Sequence, residues 1–132
     1  MKQKTVNYAE RIIPVLAQVD CCVVGGGTAG AAAAITAGRQ GLKTLLVERS
    51  ITLGGMQTIG LVEPFMPTFV RGSATPFVKE IKRCLKKAGI QYADGMTGAT
   101  WTNPETLAAI YDELTIKAGV QVLYQATLVD VI

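Results

Sequence analysis

The segment VVGGGTAG, residues 23–30, places four glycines within six positions directly after two valines. Gly25, Gly27 and Gly30 follow the Gly-x-Gly-x-x-Gly spacing. In this spacing the first glycine permits a tight turn, the second a close approach of the backbone to a phosphate, and the third close packing of a helix on a strand. Gly26 occupies a variable position of the spacing. The segment therefore predicts a strand, a turn and a helix whose N-terminus faces an anionic ligand.

The residues on both sides of the glycines complete a βαβ unit, for which we expect the bounds 11–50. QVDCCVVG (residues 18–25) and LKTLLVE (residues 42–48) are short apolar runs, typical of strands buried on both faces of a parallel sheet. The alanine-rich run 28–40 between them predicts a helix, and Gly41 is placed to end it. Strand, helix and strand in this order predict two parallel neighbours in one sheet.

The rest of the chain is predicted to be a helical and loop insertion over residues 57–118, followed by a third strand. Apolar residues at helical spacing predict helices over 76–88 and 104–118, the second of them capped by Asn103. The run VQVLYQ, residues 120–125, predicts the third strand.

Two further apolar runs predict additional strands at the ends of the chain. RIIPVLA (residues 11–17) is expected at a sheet edge, where Pro14 is tolerated. TLVDVI (residues 127–132) resembles a strand that has no partner after it. We therefore expect residues 1–132 to form one partial α/β domain whose unfinished sheet edge favours self-association into a homo-oligomer.

An acidic residue, Glu48, ends the predicted second strand about twenty residues past the glycines, where a carboxylate accepts hydrogen bonds from the hydroxyls of a ribose. A carboxylate at this position repels a 2′-phosphate, so NADP is disfavoured. The neighbouring Arg49 is expected to lie along an adenine or to face solvent. NAD and FAD share this half of the site, and the glycines alone do not distinguish them.

The composition restricts the remaining classes of function. The chain has 132 residues, 49% of them apolar, and no histidine, so no histidine base or histidine metal ligand lies within it. Cys21, Cys22 and Cys84 lack metal-binding spacing, which favours reduced core thiols, a cytoplasmic location and no metal. The net charge of +3 does not indicate a nucleic-acid partner, and no run approaches the ~20 apolar residues of a membrane span.

The stretch VERSITLGGM (residues 47–56) resembles flavoproteins of the glutathione-reductase structural type, in which a short loop and a glycine pair follow the acidic residue. Residues 11–66 as a whole resemble the N-terminal portion of the bacterial FAD-dependent oxidoreductase family, and GVQVLYQATLVDVI (residues 119–132) resembles it again. The resemblance implies a Rossmann-like FAD-binding domain with a parallel sheet of three main strands and inserted helices. It also implies FAD as the cofactor.

The resemblance further implies a role for each matching residue. The pyrophosphate would be held by Gly25, Gly27, Thr28, Ala29 and Gly30. The adenosine would be bound by Glu48 at its ribose, by Arg49 beside the adenine, and by the backbone of Leu128 at the adenine edge. The ribityl chain and flavin would be bordered by Gly54, Gly55 and Met56. Gln57 and Thr58 follow within reach of the flavin, although a surface or core role suits them equally.

The activity implied is transfer of a hydride from a small-molecule substrate to flavin N5. Family members continue into a substrate-binding region and a second glycine-containing stretch that these residues lack. We therefore expect the chain to be the N-terminal part of a longer oxidoreductase, inactive alone, and we assign no catalytic residue.

Three alternatives remain open on the sequence alone. The site could serve an NAD-dependent dehydrogenase without flavin, which gives Gly54 to Met56 no role. It could belong to a nucleotide-binding module that has no catalytic activity. A thiazole-synthase-like protein would also have a glycine pair after the acidic residue.

Overall fold

A computed structural model of the chain describes residues 14–64, 72–90, 92–93 and 100–131, with the backbone alone described at residues 92, 93 and 100. In these ranges the helices are α1 (Thr28–Arg39), α2 (Thr75–Lys87) and α3 (Pro104–Lys117). The strands are β1 (Cys21–Val24), β2 (Thr44–Val47), β3 (Tyr92–Ala93), β4 (Thr100–Trp101) and β5 (Gln121–Leu123). The predicted α/β architecture is confirmed, since helices alternate with the strands of a parallel sheet.

The main sheet has the strand order β1-β2-β5, and both pairings are parallel. Val24 is paired with Val47, and Val47 with Leu123, so the three strands end at one level. Because the carboxyl ends of parallel strands share an edge, the glycine turn after β1 and the acidic residue after β2 meet there. Open α/β sheets bind their ligands at this edge.

The three helices and β2 enclose one hydrophobic core. Its buried side chains are Ala31, Ala34, Ile35, Leu46, Leu53, Ile81, Leu85, Leu107, Ile110, Tyr111, Leu114 and Val120. The helices α1 and α3 approach closely at Gly38, where a Cβ would lie 2.5 Å from the Ala118 carbonyl oxygen. A bidentate ion pair between Arg39 and Glu80, with N–O distances of 2.8 and 2.9 Å, joins α1 to α2. These contacts hold the C-terminal end of α1 against α2 and α3.

One end of α1 and one end of α3 are formed by the residues that the sequence predicts there. Gly41 has φ of +84° directly after α1, where a left-handed residue ends a helix. Asn103 caps α3 as predicted, because its side-chain oxygen accepts a hydrogen bond from the Thr106 N–H at 2.8 Å.

Five predictions about the strands and the cysteines need correction. β1 is half-exposed along its length and Cys22 is exposed, so neither a strand buried on both faces nor a full set of core thiols is correct. The reason is that β1 lies at an edge of the sheet. Two predicted strands are absent where the structure describes them: residues 14–17 and 127–131 form no strand, because none of the described strands pairs with them. The remaining residues of these two predictions, 11–13 and 132, lie outside the described residues. In the predicted loop after α2, β3 and β4 pair antiparallel.

Candidate functional site

The turn between β1 and α1 depends on its first and third glycines. Gly25 has φ of +95°, a left-handed conformation that favours glycine, and its N–H donates to the Val47 carbonyl at 2.8 Å. A Cβ at Gly30 would lie only 1.8 Å from the carbonyl oxygen of Gly25. Only glycine therefore allows α1 to begin this close to the end of β1, as the spacing predicts.

The second glycine of the spacing, Gly27, faces open space. It is the N-cap of α1, has an ordinary φ of −62°, and a Cβ there would meet no atom of the described residues within 4 Å. The N–H groups of Thr28, Ala29 and Gly30 follow it, and a helix offers no acceptor to these first donors. Within the described ranges no other backbone acceptor bonds to them. This opening thus combines free donors with the positive end of the helix dipole.

Glu48 lies beside this opening and is 8% exposed. Its Oε2 accepts a hydrogen bond from the Gly26 N–H at 2.5 Å, and its Oε1 accepts one from the Ser50 N–H at 2.7 Å. Burial acts to raise the pKa of Glu48, but these hydrogen bonds and the charge of Arg49 outweigh it, so the pKa is lowered. Each carboxylate oxygen can accept a second hydrogen bond, which leaves the ionised group acceptors for a ligand.

Gly26 has a structural role that the glycine spacing does not predict. Besides donating to Glu48, it accepts a hydrogen bond from the Gly54 N–H through its carbonyl at 2.8 Å. A Cβ at Gly26 would lie 2.5 Å from Leu53 Cδ2. The glycine spacing leaves Gly26 at a variable position because its partners lie after β2, outside the local pattern.

The glycine pair after β2 packs directly against the glycine turn that joins β1 to α1. Gly54 and Gly55 have φ of +96° and +56°, and Gly54 forms a parallel bridge with Gly27. A Cβ at Gly55 would lie 3.0 Å from the Cα of Gly27. A 3-10 turn, Gly55–Gln57, begins at the second glycine of the pair. The two glycine segments therefore form one continuous surface.

Three side chains from separate elements meet behind this surface. Thr28 Oγ1 lies 3.1 Å from the Gly54 carbonyl oxygen and 3.1 Å from Gln57 Oε1. The hydroxyl of Tyr111, a buried residue of α3, lies 3.4 Å from the same Gln57 oxygen. Thr58 is turned inward, because its hydroxyl donates to the Leu53 carbonyl at 2.6 Å. Because Gln57 and Tyr111 lie 54 positions apart, no local sequence pattern predicts the contact between them.

A cavity of about 520 Å³ joins these parts at the sheet edge. It is lined by Gly27, Thr28, Glu48, Arg49, Ser50, Gly55, Met56, Ile59 and Gly60. Six predicted site residues therefore lie together, from both glycine segments and the end of β2. Gly25, Gly30 and Gly54 support the cavity through the backbone contacts described above.

Two predicted site residues lie away from this cavity. Ala29 is exposed on α1 and lines a different, larger cavity of about 710 Å³ beside α2. Leu128 is 50% exposed in the irregular segment after β5. In the residues described, no cluster of three or more acidic or cysteine side chains is placed to hold a metal ion. None of their helices has the length and apolar character needed to cross a membrane.

A parallel sheet with a glycine turn, a helix and an acidic residue at its carboxyl edge defines a Rossmann-type nucleotide-binding fold. The chain matches the family described as FAD dependent oxidoreductase over residues 20–132, and it belongs to this family. FAD is the cofactor of the family, as the sequence resemblance implied.

A curated relative and two solved structures agree with this assignment. The NADH oxidase of Thermoanaerobacter brockii is 33% identical over 96 residues, which are 73% of this chain and 13% of that protein. THI4 of Thermovibrio ammonificans has a TM-score of 0.56 at 19% identity, over 80% of this chain and 38% of that one. CabE, an aromatic hydroxylase from angucycline biosynthesis, has a TM-score of 0.55 at 16% identity, over 83% and 24%. The chain thus spans less than two fifths of each of these proteins, and the two structures show a shared fold.

Proposed function

We propose that the cavity at the sheet edge is the FAD site of a flavin-dependent oxidoreductase. The observation that carries the proposal is the cavity of about 520 Å³, which brings Gly27, Glu48 and Gly55 together. Ligand sites in proteins have volumes of roughly this size. An NAD-dependent dehydrogenase without flavin gives the glycine pair no role, whereas here Gly55 of the pair lines the same cavity as Gly27 and Glu48.

The pyrophosphate is assigned to the opening at Gly27. No atom in the described part of the chain lies within 4 Å of a Cβ there, which leaves room for a phosphate to approach the backbone. The N–H groups of Thr28, Ala29 and Gly30 can donate to its oxygens, and the first turn of α1 has no acidic residue to oppose the charge. Gly25 contributes through its left-handed conformation, which forms the turn that orients these donors.

The adenosine is assigned to the side of the cavity formed by the residues after β2. Glu48 is held by two backbone N–H groups, so its remaining acceptor positions are fixed in direction toward the ribose hydroxyls. Arg49 is exposed on the wall of the same cavity and is assigned beside the adenine. The backbone of Leu128 stays a proposed contact of the adenine edge, which requires the segment after β5 to approach the cavity.

The ribityl and flavin side is assigned to Gly54, Gly55 and Met56. Met56 is 66% exposed on the cavity wall, where its flexible apolar side chain can cover a planar ring. When bound, FAD supplies the acceptor for a hydride, taken at flavin N5 from a small-molecule substrate. The residues of this chain bind and orient the cofactor, and no catalytic acid or base is assigned among them.

Three finer features belong to the same proposal. The glutathione-reductase type is supported by the glycine pair that follows Glu48 after a short loop. A cytoplasmic location is supported by the three free cysteines, which suit a reducing compartment. Association of copies of the chain is supported by the edge positions of β1 and β5 in the sheet.

A competition titration tests the assignment. FAD is titrated into the 132-residue chain by flavin fluorescence, and bound FAD is then displaced with ADP, with ADP carrying a 2′-phosphate, or with NAD. We expect ADP to compete, and its 2′-phosphorylated form to compete roughly ten-fold less well, because Glu48 repels the added charge. Equal competition by the two forms would contradict the placement of the ribose at Glu48. Binding of NAD without binding of FAD would support the dehydrogenase alternative.

A further inference from the structure

Tyr111 is the largest fully buried side chain in the described part of the chain. It lies on α3, 54 positions after Gln57, and its hydroxyl points toward the cofactor side of the core rather than to solvent. Burial raises the pKa of Tyr111 to about 12, partly opposed by a hydrogen bond with Thr28. The hydroxyl is therefore neutral near pH 7 and can donate a hydrogen bond.

The tyrosine contacts both ends of the segment that carries the glycine pair. Its ring lies against Gly54, because a Cβ there would be 3.1 Å from Tyr111 Cδ2. Its hydroxyl lies 3.4 Å from Gln57 Oε1, at the end of the 3-10 turn. The same Gln57 oxygen is 3.1 Å from the hydroxyl of Thr28, the first residue of α1. Tyr111 thus connects the glycine pair, the 3-10 turn and the start of α1.

The other side of the cavity is held by different contacts. Glu48 is fixed by the N–H groups of Gly26 and Ser50, and Tyr111 bonds to none of these groups. Removing the tyrosine hydroxyl should therefore disturb Gly54 to Gln57 and leave the adenosine side in place.

We propose that Tyr111 is a positioning residue for the flavin side of the FAD site. It holds the Gly54–Gly55 pair in place through its ring and through Gln57, without itself lining the 520 Å³ cavity. The inference rests on the proposed FAD function. On this inference, the adenosine half and the flavin half of FAD bind to parts of the cavity wall that are held by different contacts.

The test uses Tyr111→Phe, which keeps the ring and removes the hydroxyl, in the 132-residue chain. Kd is measured for FAD and for ADP, because ADP lacks the half of the cofactor that reaches the glycine pair. We expect Kd for FAD to rise roughly five-fold, as for loss of one hydrogen bond, and Kd for ADP to stay within about two-fold. Combined with Gln57→Ala, Tyr111→Phe should add less loss than it causes alone, because both changes remove the hydrogen bond between the Tyr111 hydroxyl and Gln57.

Tyr124→Phe is the matched control. The Tyr124 hydroxyl also bonds to α3, through Asp112 at 2.5 Å, and Tyr124 lines none of the cavity that contains Glu48. It should leave the ratio of the two Kd values unchanged. If Tyr111→Phe does not fold, Gln57→Ala alone must still raise Kd for FAD more than Kd for ADP.

The outcomes separate this inference from the function on which it rests. Equal loss of FAD and ADP affinity in Tyr111→Phe, unchanged affinity for both, or additive effects with Gln57→Ala would overturn the positioning role while FAD binding stands. Failure of the unaltered chain to bind FAD while it binds ADP would overturn both proposals.

Discussion

The two glycine segments of the site use glycine for different reasons. In the first, the position of Gly27 is open, and a Cβ there would meet no atom within 4 Å. In the second, a Cβ at Gly54 would lie 2.5 Å from Thr58 Cγ2, and one at Gly55 would lie 3.0 Å from the Cα of Gly27. Packing among the described residues explains the glycines of the pair, whereas at Gly27 the described residues leave room for a ligand.

The comparison separates glycines that the fold requires from a glycine that the ligand requires. Substitution of the first kind should lower the free energy of unfolding, and substitution of the second should lower cofactor affinity while the fold persists. The glycine spacing alone does not make this distinction, since Gly27 and Gly30 belong to the same motif.

The largest effect on stability is expected for Gly30→Ala. The added Cβ would lie 1.8 Å from the Gly25 carbonyl oxygen, a backbone atom that cannot turn away without moving β1 or α1. We expect the free energy of unfolding to fall by more than about 3 kcal/mol, measured by urea denaturation. An unfolding midpoint equal to that of the unaltered chain would show that the turn is not packed as described.

The next largest effect is expected for Gly54→Ala, which should lower the free energy of unfolding by about 2–3 kcal/mol. Gly54 combines a left-handed φ of +96° with close packing against Thr58. Gly41→Ala is the matched control: Gly41 has φ of +84° but no atom within 4 Å of a Cβ. The difference between the two variants in urea denaturation isolates the cost of packing. Equal losses would leave the glycine pair without a packing role.

Glu48→Gln should cost about 1–2 kcal/mol, because an amide nitrogen cannot accept the hydrogen bond from the Gly26 or the Ser50 N–H. The effect depends on pH. The pKa of Glu48 is lowered from 4.5 in the folded chain, so its stabilisation is complete above pH 4.5 and is lost as pH falls through the lower folded value.

Urea denaturation of Glu48→Gln and the unaltered chain from pH 7 down to about pH 3 checks this, with the two curves converging at low pH. Glu113→Gln, on the exposed face of α3, is the control and should not cause such convergence. If the difference in free energy of unfolding between the two proteins stayed constant over this range, the ionised carboxylate of Glu48 would not be what stabilises the turn.

The smallest effect on stability is expected for Gly27→Ala. Its φ of −62° suits alanine and nothing opposes the added Cβ, so the loss should stay below about 1 kcal/mol, the cost of a poorer helix N-cap. Thermal unfolding followed by circular dichroism measures it. A loss as large as that of Gly30→Ala would mean that the space at Gly27 is not open in solution.

Features encoded within a few residues of one another could be predicted from the sequence. The spacing of Gly25, Gly27 and Gly30, the acidic residue that ends β2 and the Asn103 cap all depend on local geometry. The parallel pairing of β1 and β2 followed from their apolar runs and the helix between them. The inclusion of β5 in the same parallel sheet was implied by the family resemblance.

The rest depends on contacts between distant positions, which periodicity does not encode. Gly26 is constrained by Leu53 and Glu48, and Tyr111 by Gln57, 54 positions earlier. The exposure of β1 reflects its place at the edge of the sheet rather than its valines. β3 and β4, with two residues each, are too short to show an alternating pattern.

The most direct test of the central claim is an absorbance spectrum of the chain after addition of FAD and desalting, with Gly27→Ala treated in the same way. We expect the unaltered chain to retain the flavin band near about 450 nm. The variant should lose it while remaining folded, because its methyl group fills the space assigned to the pyrophosphate. Equal retention of flavin by both proteins would contradict the placement of the cofactor at Gly27, and retention by neither would contradict FAD binding by this chain.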